Sequence, residues 1–172
     1  MKRLLLLRHA KAVPAEEPLA DITRPLAERG QRDARRIGQR LRQSAPRPER
    51  ILTSPSARTL ETAQLVATAF EQPHDAIAVE RRLYLAEPAA LLAVIGAQDD
   101  AVESLLVVGH NPGLTELVHE LLPTFDVDDL PTGAVVALDY PAGTAWAGLE
   151  TAAGRLTYYD FPKNPREPLT AR

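Results

Sequence analysis

The residues that could do chemistry sit in three short segments. The first is Arg8-His9, directly after the apolar run Leu4-Leu5-Leu6-Leu7. The second is Ser54-Pro55, followed by Arg58 and Thr62. The third is Gly109-His110-Asn111-Pro112-Gly113, directly after Val107-Val108. Each reads as an apolar strand, then a polar residue at its end; after the second and third a helix start follows. In open α/β sheets, ligands bind at the carboxyl ends of the strands. Three such ends bring two arginines and two histidines to one rim. A neutral imidazole can attack phosphorus and form a phosphoenzyme, which splits one hard step into two easier ones. Guanidinium forks bind phosphate oxygens in pairs. The set therefore suits phosphoryl transfer, with His9 as nucleophile and Arg8 and Arg58 as phosphate ligands that also neutralise transition-state charge. His110 is a further donor to the transferring group. The same arginines disfavour an imidazolium and so keep His9 neutral. Helix starts after Ser54 and Asn111 add backbone N–H groups for an anion.

The elements that must hold these residues follow from periodicity and punctuation. Lys2–Arg8 is built on the unbroken apolar run Leu4–Leu7, as expected of a strand covered on both faces. A polar loop over residues 10–24 leads to a helix over residues 28–43, in which Ala34, Ile37, Gly38 and Leu41 form one apolar face. Arg50–Thr53 is the second strand. Ser54 is the expected N-cap of the next helix, with Pro55 at its first position; that helix runs to about Phe70. Ile77–Val79 is a short strand. Pro88 opens a third helix burying Leu91, Leu92 and Ile95. Residues 104–108 form a strand, and Pro112-Gly113 opens a fourth helix with Leu114, Leu117, Val118 and Leu121 inward. Residues 134–140 form a strand, and residues 145–150 and 155–161 form a hairpin holding Trp146. The tail from Pro162 onward is expected to be loose. Alternating strands and helices predict one domain spanning residues 1–172, a three-layer α/β/α sandwich with a mainly parallel sheet and an antiparallel edge.

Composition narrows the function. A net charge of −3 argues against broad nucleic-acid binding. The chain has no cysteine, which excludes thiol catalysis, disulfides and zinc–thiolate sites. Met1-Lys2-Arg3 before the leucines mimics a signal peptide, but four apolar residues are too few for one. The expected location is cytoplasmic, with no membrane partner, since nothing approaches a transmembrane span. The run Asp126-Val127-Asp128-Asp129 lacks the glycine and glutamate spacing of a calcium loop and reads as a solvated loop.

With those motifs in order, the chain resembles the histidine phosphatase superfamily, with its phosphoglycerate-mutase-like fold. Arg8-His9-Ala10-Lys11-Ala12 is most similar to the SixA-type branch, the protein phosphohistidine phosphatases. Ala10 stands where many relatives carry the glycine of an Arg-His-Gly motif. Arg24-Pro25-Leu26-Ala27-Glu28-Arg29-Gly30 resembles the family's approach to its first helix, with Ala27 where Thr or Ser is more usual. The resemblance runs from Lys2 to about Leu138. It implies His9 as the nucleophile, a phosphate pocket of Arg8, Arg58 and His110, and neither metal nor organic cofactor.

The proton donor to the leaving group is less determined. Glu87 stands where many superfamily members carry an acid, and it reads equally as a helix N-terminal carboxylate. Asp21 is a second candidate. Arg24 either lines the pocket or pairs with Asp21, and Lys11 either widens the positive rim or is solvated. A phosphoramidate leaving group can be protonated before attack and needs an enzyme acid less than an alkyl ester does. The expected substrate is therefore phosphohistidine on a protein domain, with inorganic phosphate as product. There is little spare length for a lid between Thr62 and Glu87, so the pocket should be open. The alternatives are hydrolysis of small phosphate monoesters or polyphosphate, a mutase, and a phosphate-binding module without turnover. A metal hydrolase using His9 and His110 is disfavoured, because Arg8 and Arg58 would repel the cation.

Overall fold

A computed structural model describes residues 1–16 and 18–170. Glu17, in the expected polar loop, and Ala171 and Arg172, in the expected loose tail, lie outside the described residues. Its centre is β1 (Lys2–Arg8), whose Leu4, Leu5, Leu6 and Leu7 are all fully buried. Successive strand residues face opposite sides. Leu4 and Leu6 therefore join one apolar cluster, and Leu5 and Leu7 join another on the far face. A leucine run buried on both sides is what the sequence pattern required.

Around β1 lie β2 (Arg50–Thr53), β3 (Ile77–Val79), β4 (Ser104–Gly109), β5 (Val135–Tyr140), β6 (Arg155–Asp160) and β7 (Leu169–Thr170). They form one sheet in the order β3-β2-β4-β1-β5-β6-β7. The pairs β1–β4, β2–β4 and β2–β3 are parallel, while β5, β6 and β7 pair antiparallel at the other edge. One face is covered by α1 (Glu28–Ser44) and α2 (Ala57–Ala69), which contribute Ile37, Leu41, Val66 and Ala67. The other is covered by α3 (Pro88–Gly96) and α4 (Gly113–Leu121), through Leu91, Ile95, Leu114 and Leu117. The sandwich and its antiparallel edge are as expected. Because β1, β2 and β4 are parallel neighbours, Arg8, Thr53 and Gly109 end on the same edge, and the three segments meet there.

Three local expectations fail. Ser54 is not the N-cap of α2: that helix begins at Ala57, and the Ser56 hydroxyl accepts from Thr59 N at 3.3 Å. Residues 145–150 make no strand. Trp146–Gly148 is a single 3-10 turn. There the Trp146 amide donates to Asp100 Oδ1 and its indole N–H to Val102 O, so both polar groups are satisfied away from any ladder. The partner of β6 is β5 instead. The tail is also held, since Leu169–Thr170 pairs with β6 and the Asn164 amide donates to Asp160.

Two glycines let backbone segments close on the catalytic edge. A Cβ on Gly30 would stand 2.0 Å from Lys11 O, and one on Gly113 would stand 1.9 Å from Ala86 O. The first contact seats α1 against the chain leaving β1. Ala27 caps α1 without any side-chain hydrogen bond, as its missing hydroxyl requires.

Candidate active site

His9 follows the last residue of β1, and its amide donates to Gly109 O at 3.1 Å. Its ring Nδ1 lies 2.8 Å from Ala10 O. A carbonyl only accepts, so Nδ1 carries the proton and Nε2 keeps its lone pair. Ala10 is in turn fixed, because its amide donates to Thr62 Oγ1 at 3.1 Å, and Thr62 donates to Arg58 O one helical turn earlier. Burial is the first cause that pulls the His9 pKa down to about 4, with the Arg58, Arg8 and Arg24 charges adding to it; the Ala10 hydrogen bond opposes. The arginines thus help to keep His9 neutral, as the sequence suggested, but desolvation does more.

His110 faces it, with ring centroids 5.5 Å apart. The Ser54 hydroxyl is 2.7 Å from His110 Nε2, and Arg58 Nη2 is 3.4 Å from Nδ1. A guanidinium donates only, so Nδ1 holds the lone pair and Nε2–H donates to Ser54. Burial first, then the Arg58 charge, brings the His110 pKa down to about 3. His110 is therefore neutral, with Nδ1 an acceptor. In this state His110 is not the donor expected from the sequence, because Nδ1 is occupied as the acceptor of the Arg58 guanidinium.

Arg58 is buried on α2. Its Nη1 donates to Asp21 O at 2.8 Å and its Nη2 to Asp21 Oδ2 at 3.0 Å. Arg8 donates through Nη1 to Leu130 O at 2.6 Å. The Nε of each arginine is buried with no hydrogen-bond partner among the described residues. Arg8, His9, Lys11, Asp21, Arg24, Arg58 and His110 line one cavity of about 370 Å³, closed on other sides by Leu85, Asn111 and Thr132. A larger concavity of about 610 Å³ lies between α1 and α2, over Gln39, Leu65 and Thr68, and contains no histidine. The smaller one brings together the residues singled out from the sequence.

A family model described as Histidine phosphatase superfamily (branch 1) matches residues 4–84. An uncharacterized protein of Mycobacterium tuberculosis is 32% identical over 166 residues, spanning 91% of this chain and all of the relative. Among solved structures, one assigned as phosphohistidine phosphatase SixA of Agrobacterium tumefaciens is 30% identical. The match covers 92% of this chain and 97% of that one, at a TM-score of 0.73. A second so assigned, from Nakamurella multipartitia, is 27% identical, covering 94% and 96%, at a TM-score of 0.81. The chain belongs to the histidine phosphatase superfamily, on its SixA-type side. It is accordingly a phosphatase.

In this SixA-type chain the two acid candidates stand differently. Asp21 is on the cavity wall, in the short turn Asp21–Thr23, where it accepts from Tyr84 OH, Arg24 and Arg58. The Tyr84 hydrogen bond first, then Arg24 and Arg58, hold its carboxyl well below the usual range. It has no proton to give near neutral pH. Glu87 is the exposed N-cap of α3 and is not among the residues lining the cavity, although Leu85, two residues earlier, is. Both readings of Arg24 hold, since it lines the cavity and pairs with Asp21 at 2.9 Å. Lys11 is exposed on the rim. His74 lies in an exposed turn, and His119 is a partly buried helix residue bonded to Val127 O. Among the described residues no group of three His, Asp or Glu is placed to hold a metal ion, and no helix is long and apolar enough to cross a membrane.

Sequence reasoning missed two residues. Ser54 orients His110 rather than capping a helix. Tyr84 bonds Asp21 and sets its ring edge-on to His110, at 5.5 Å between centroids. Nothing in the connector around Tyr84 signalled this. For Ser54 the signal was there, a hydroxyl at a strand end on the catalytic edge, but Ser-Pro before a helix offered a simpler local role.

Proposed function

We propose that this chain removes the phosphoryl group from phosphohistidine on a protein, through a phosphorylated His9 and without a metal ion. The observation that carries the reading is the Nδ1–H of His9 held on Ala10 O, which leaves the Nε2 lone pair free in a cavity that Arg8 and Arg58 also line. In the first step Nε2 attacks phosphorus as the bond to the substrate imidazole breaks. That imidazole leaves with the electron pair and keeps the proton it brought on its other nitrogen. In the second step water attacks the phosphoryl group and the bond to Nε2 breaks. The lone pair returns to His9 and the water protons leave on orthophosphate. Arg8 and Arg58 stabilise the charge on the equatorial oxygens in both steps.

The substrate preference rests on the leaving group. Asp21 is held ionised and Glu87 stands off the cavity, so a substrate that supplies its own proton suits this site better than an alkyl ester. The cavity's open side also suits a protruding side chain better than a small metabolite needing enclosure. One observation favours the second reading, hydrolysis of small phosphate monoesters: Glu87 has no side-chain hydrogen bond among the described residues and is two residues from the cavity wall at Leu85, so a small loop shift would bring an acid to the leaving group. Parallel assays with chelator present separate the two. A phosphohistidine-bearing domain should turn over faster than p-nitrophenyl phosphate, and His9→Ala should lose both. Faster turnover of the ester would select the second reading.

A further inference from the structure

A second cleft, of about 290 Å³, opens beside the catalytic cavity and shares Lys11 and Thr132 with it. Arg29 and Asp33 of α1 form one side, and Phe161, Pro162 and Lys163 form the other. The last three are brought there by a bare backbone. Gly133 has φ +76°, and its amide donates to the carbonyls of both Arg8 and His9. A Cβ on it would stand 2.8 Å from Pro162 Cγ. Without one, Pro162 closes over the end of β1 and Lys163 follows it to the rim. The segment is anchored on both sides of the lysine. Asp160, fully buried, pairs with Arg40 Nε at 2.9 Å, and Asn164 Nδ2 donates to Asp160 Oδ1 at 2.9 Å.

The charges along this wall are unequal. Arg24 and Arg58 share Asp21, Arg29 has Asp33 at 3.6 Å, and Arg8 has Asp129 at 4.0 Å. Lys11 and Lys163 are exposed and have neither ion pair nor side-chain hydrogen bond among the described residues. Two uncompensated cations thus flank the phosphoryl site on a chain whose overall charge is −3. Lys11 stands on the wall that the two cavities share, and Lys163 lines the adjoining cleft.

We infer that this cleft receives an acidic side chain neighbouring the phosphohistidine of the protein substrate, with Lys11 and Lys163 as its charge partners and Phe161 and Pro162 packing its aliphatic stem. The inference rests on the phosphohistidine reading above. Charge pairs of this exposed kind act on encounter and affinity more than on the chemical step, and salt screens them.

The test uses free phosphohistidine and two peptides that carry one phosphohistidine, flanked either by glutamates or by glutamines. Wild type should favour the glutamate peptide by roughly tenfold in kcat/KM at low salt, through KM, and the gap should close as salt is raised. Lys163→Glu should abolish the preference while leaving p-nitrophenyl phosphate turnover unchanged, and Lys163→Arg should retain it. Equal turnover of the two peptides by wild type overturns the cleft's role. So does an equal loss on peptide and ester in Lys163→Glu, or turnover of free phosphohistidine with both peptides inert. Failure on free phosphohistidine and both peptides, with the ester still hydrolysed, overturns the functional reading itself.

Discussion

The Ser54 hydroxyl accepts the Nε2 proton of His110 at 2.7 Å, across 56 positions of chain. This bond decides which face His110 turns to the cavity: with Nε2 occupied, Nδ1 points toward Arg58. Ser54→Ala leaves a buried N–H unpaired, a cost of about 1–3 kcal/mol in stability or orientation. The expected result is a fall in kcat of roughly tenfold or more, with KM moving less. Steady-state kinetics on p-nitrophenyl phosphate check it, and an unchanged kcat would mean that Ser54 does not position His110.

Asp21 is held as a carboxylate by Tyr84, Arg24 and Arg58. Loss of a general acid costs about 10²–10⁴ in rate. Asp21→Asn should cost less than that, under tenfold in kcat, and should leave the alkaline limb of the pH–rate profile in place. A loss of a hundredfold, together with that limb, would restore Asp21 as the proton donor.

Both active-site histidines titrate below their ordinary value of 6.5, His9 at about 4 and His110 at about 3. Between those values and 6.5 the unfolded chain binds more protons than the folded one. Stability therefore rises with pH through that window and is lost as pH falls through it, by up to about 3 kcal/mol for His9 alone. Urea melts of wild type against His9→Gln and His110→Gln, from pH 7 to pH 4, should show a shallower loss in each variant. Parallel curves would contradict the burial of these rings as neutral groups.

Gly30→Ala places a Cβ 2.0 Å from Lys11 O, two residues from the nucleophile. Backbone cannot yield as a flexible side chain does, so the variant should lose about 1–3 kcal/mol of stability. It should also lose activity, because Lys11 adjoins the Ala10 carbonyl that holds His9. Thermal melts and kinetics together check this. A stable, fully active variant would mean that α1 does not constrain the catalytic edge.

Much of this was legible in the chain. Leu4–Leu7 demanded a strand covered on both faces, and the face of Ala34, Ile37 and Leu41 demanded a helix against it. Arg8, Arg58 and His110 could be placed together because each lies at or shortly after the end of a strand in the parallel part of one sheet. What escaped depends on distant partners. Ser54 looked like a cap because Ser-Pro suits one locally, while the competing bond to His110 is invisible in sequence. Residues 145–150 looked like a strand, yet Trp146 finds partners at Asp100 and Val102 that hold it in a turn. The tail carried many prolines and no periodicity, and its order comes from pairing with β6.

The central claim is a phosphoryl group carried on Nε2 of His9. The direct measurement mixes enzyme with a phosphohistidine domain in chelator, quenches within one turnover, and maps any acid-labile, base-stable phosphoryl group by mass spectrometry. The account predicts one such group, on His9, formed before phosphate release and absent in His9→Gln. Full turnover with no phosphoryl group on His9 at any quench time would contradict it.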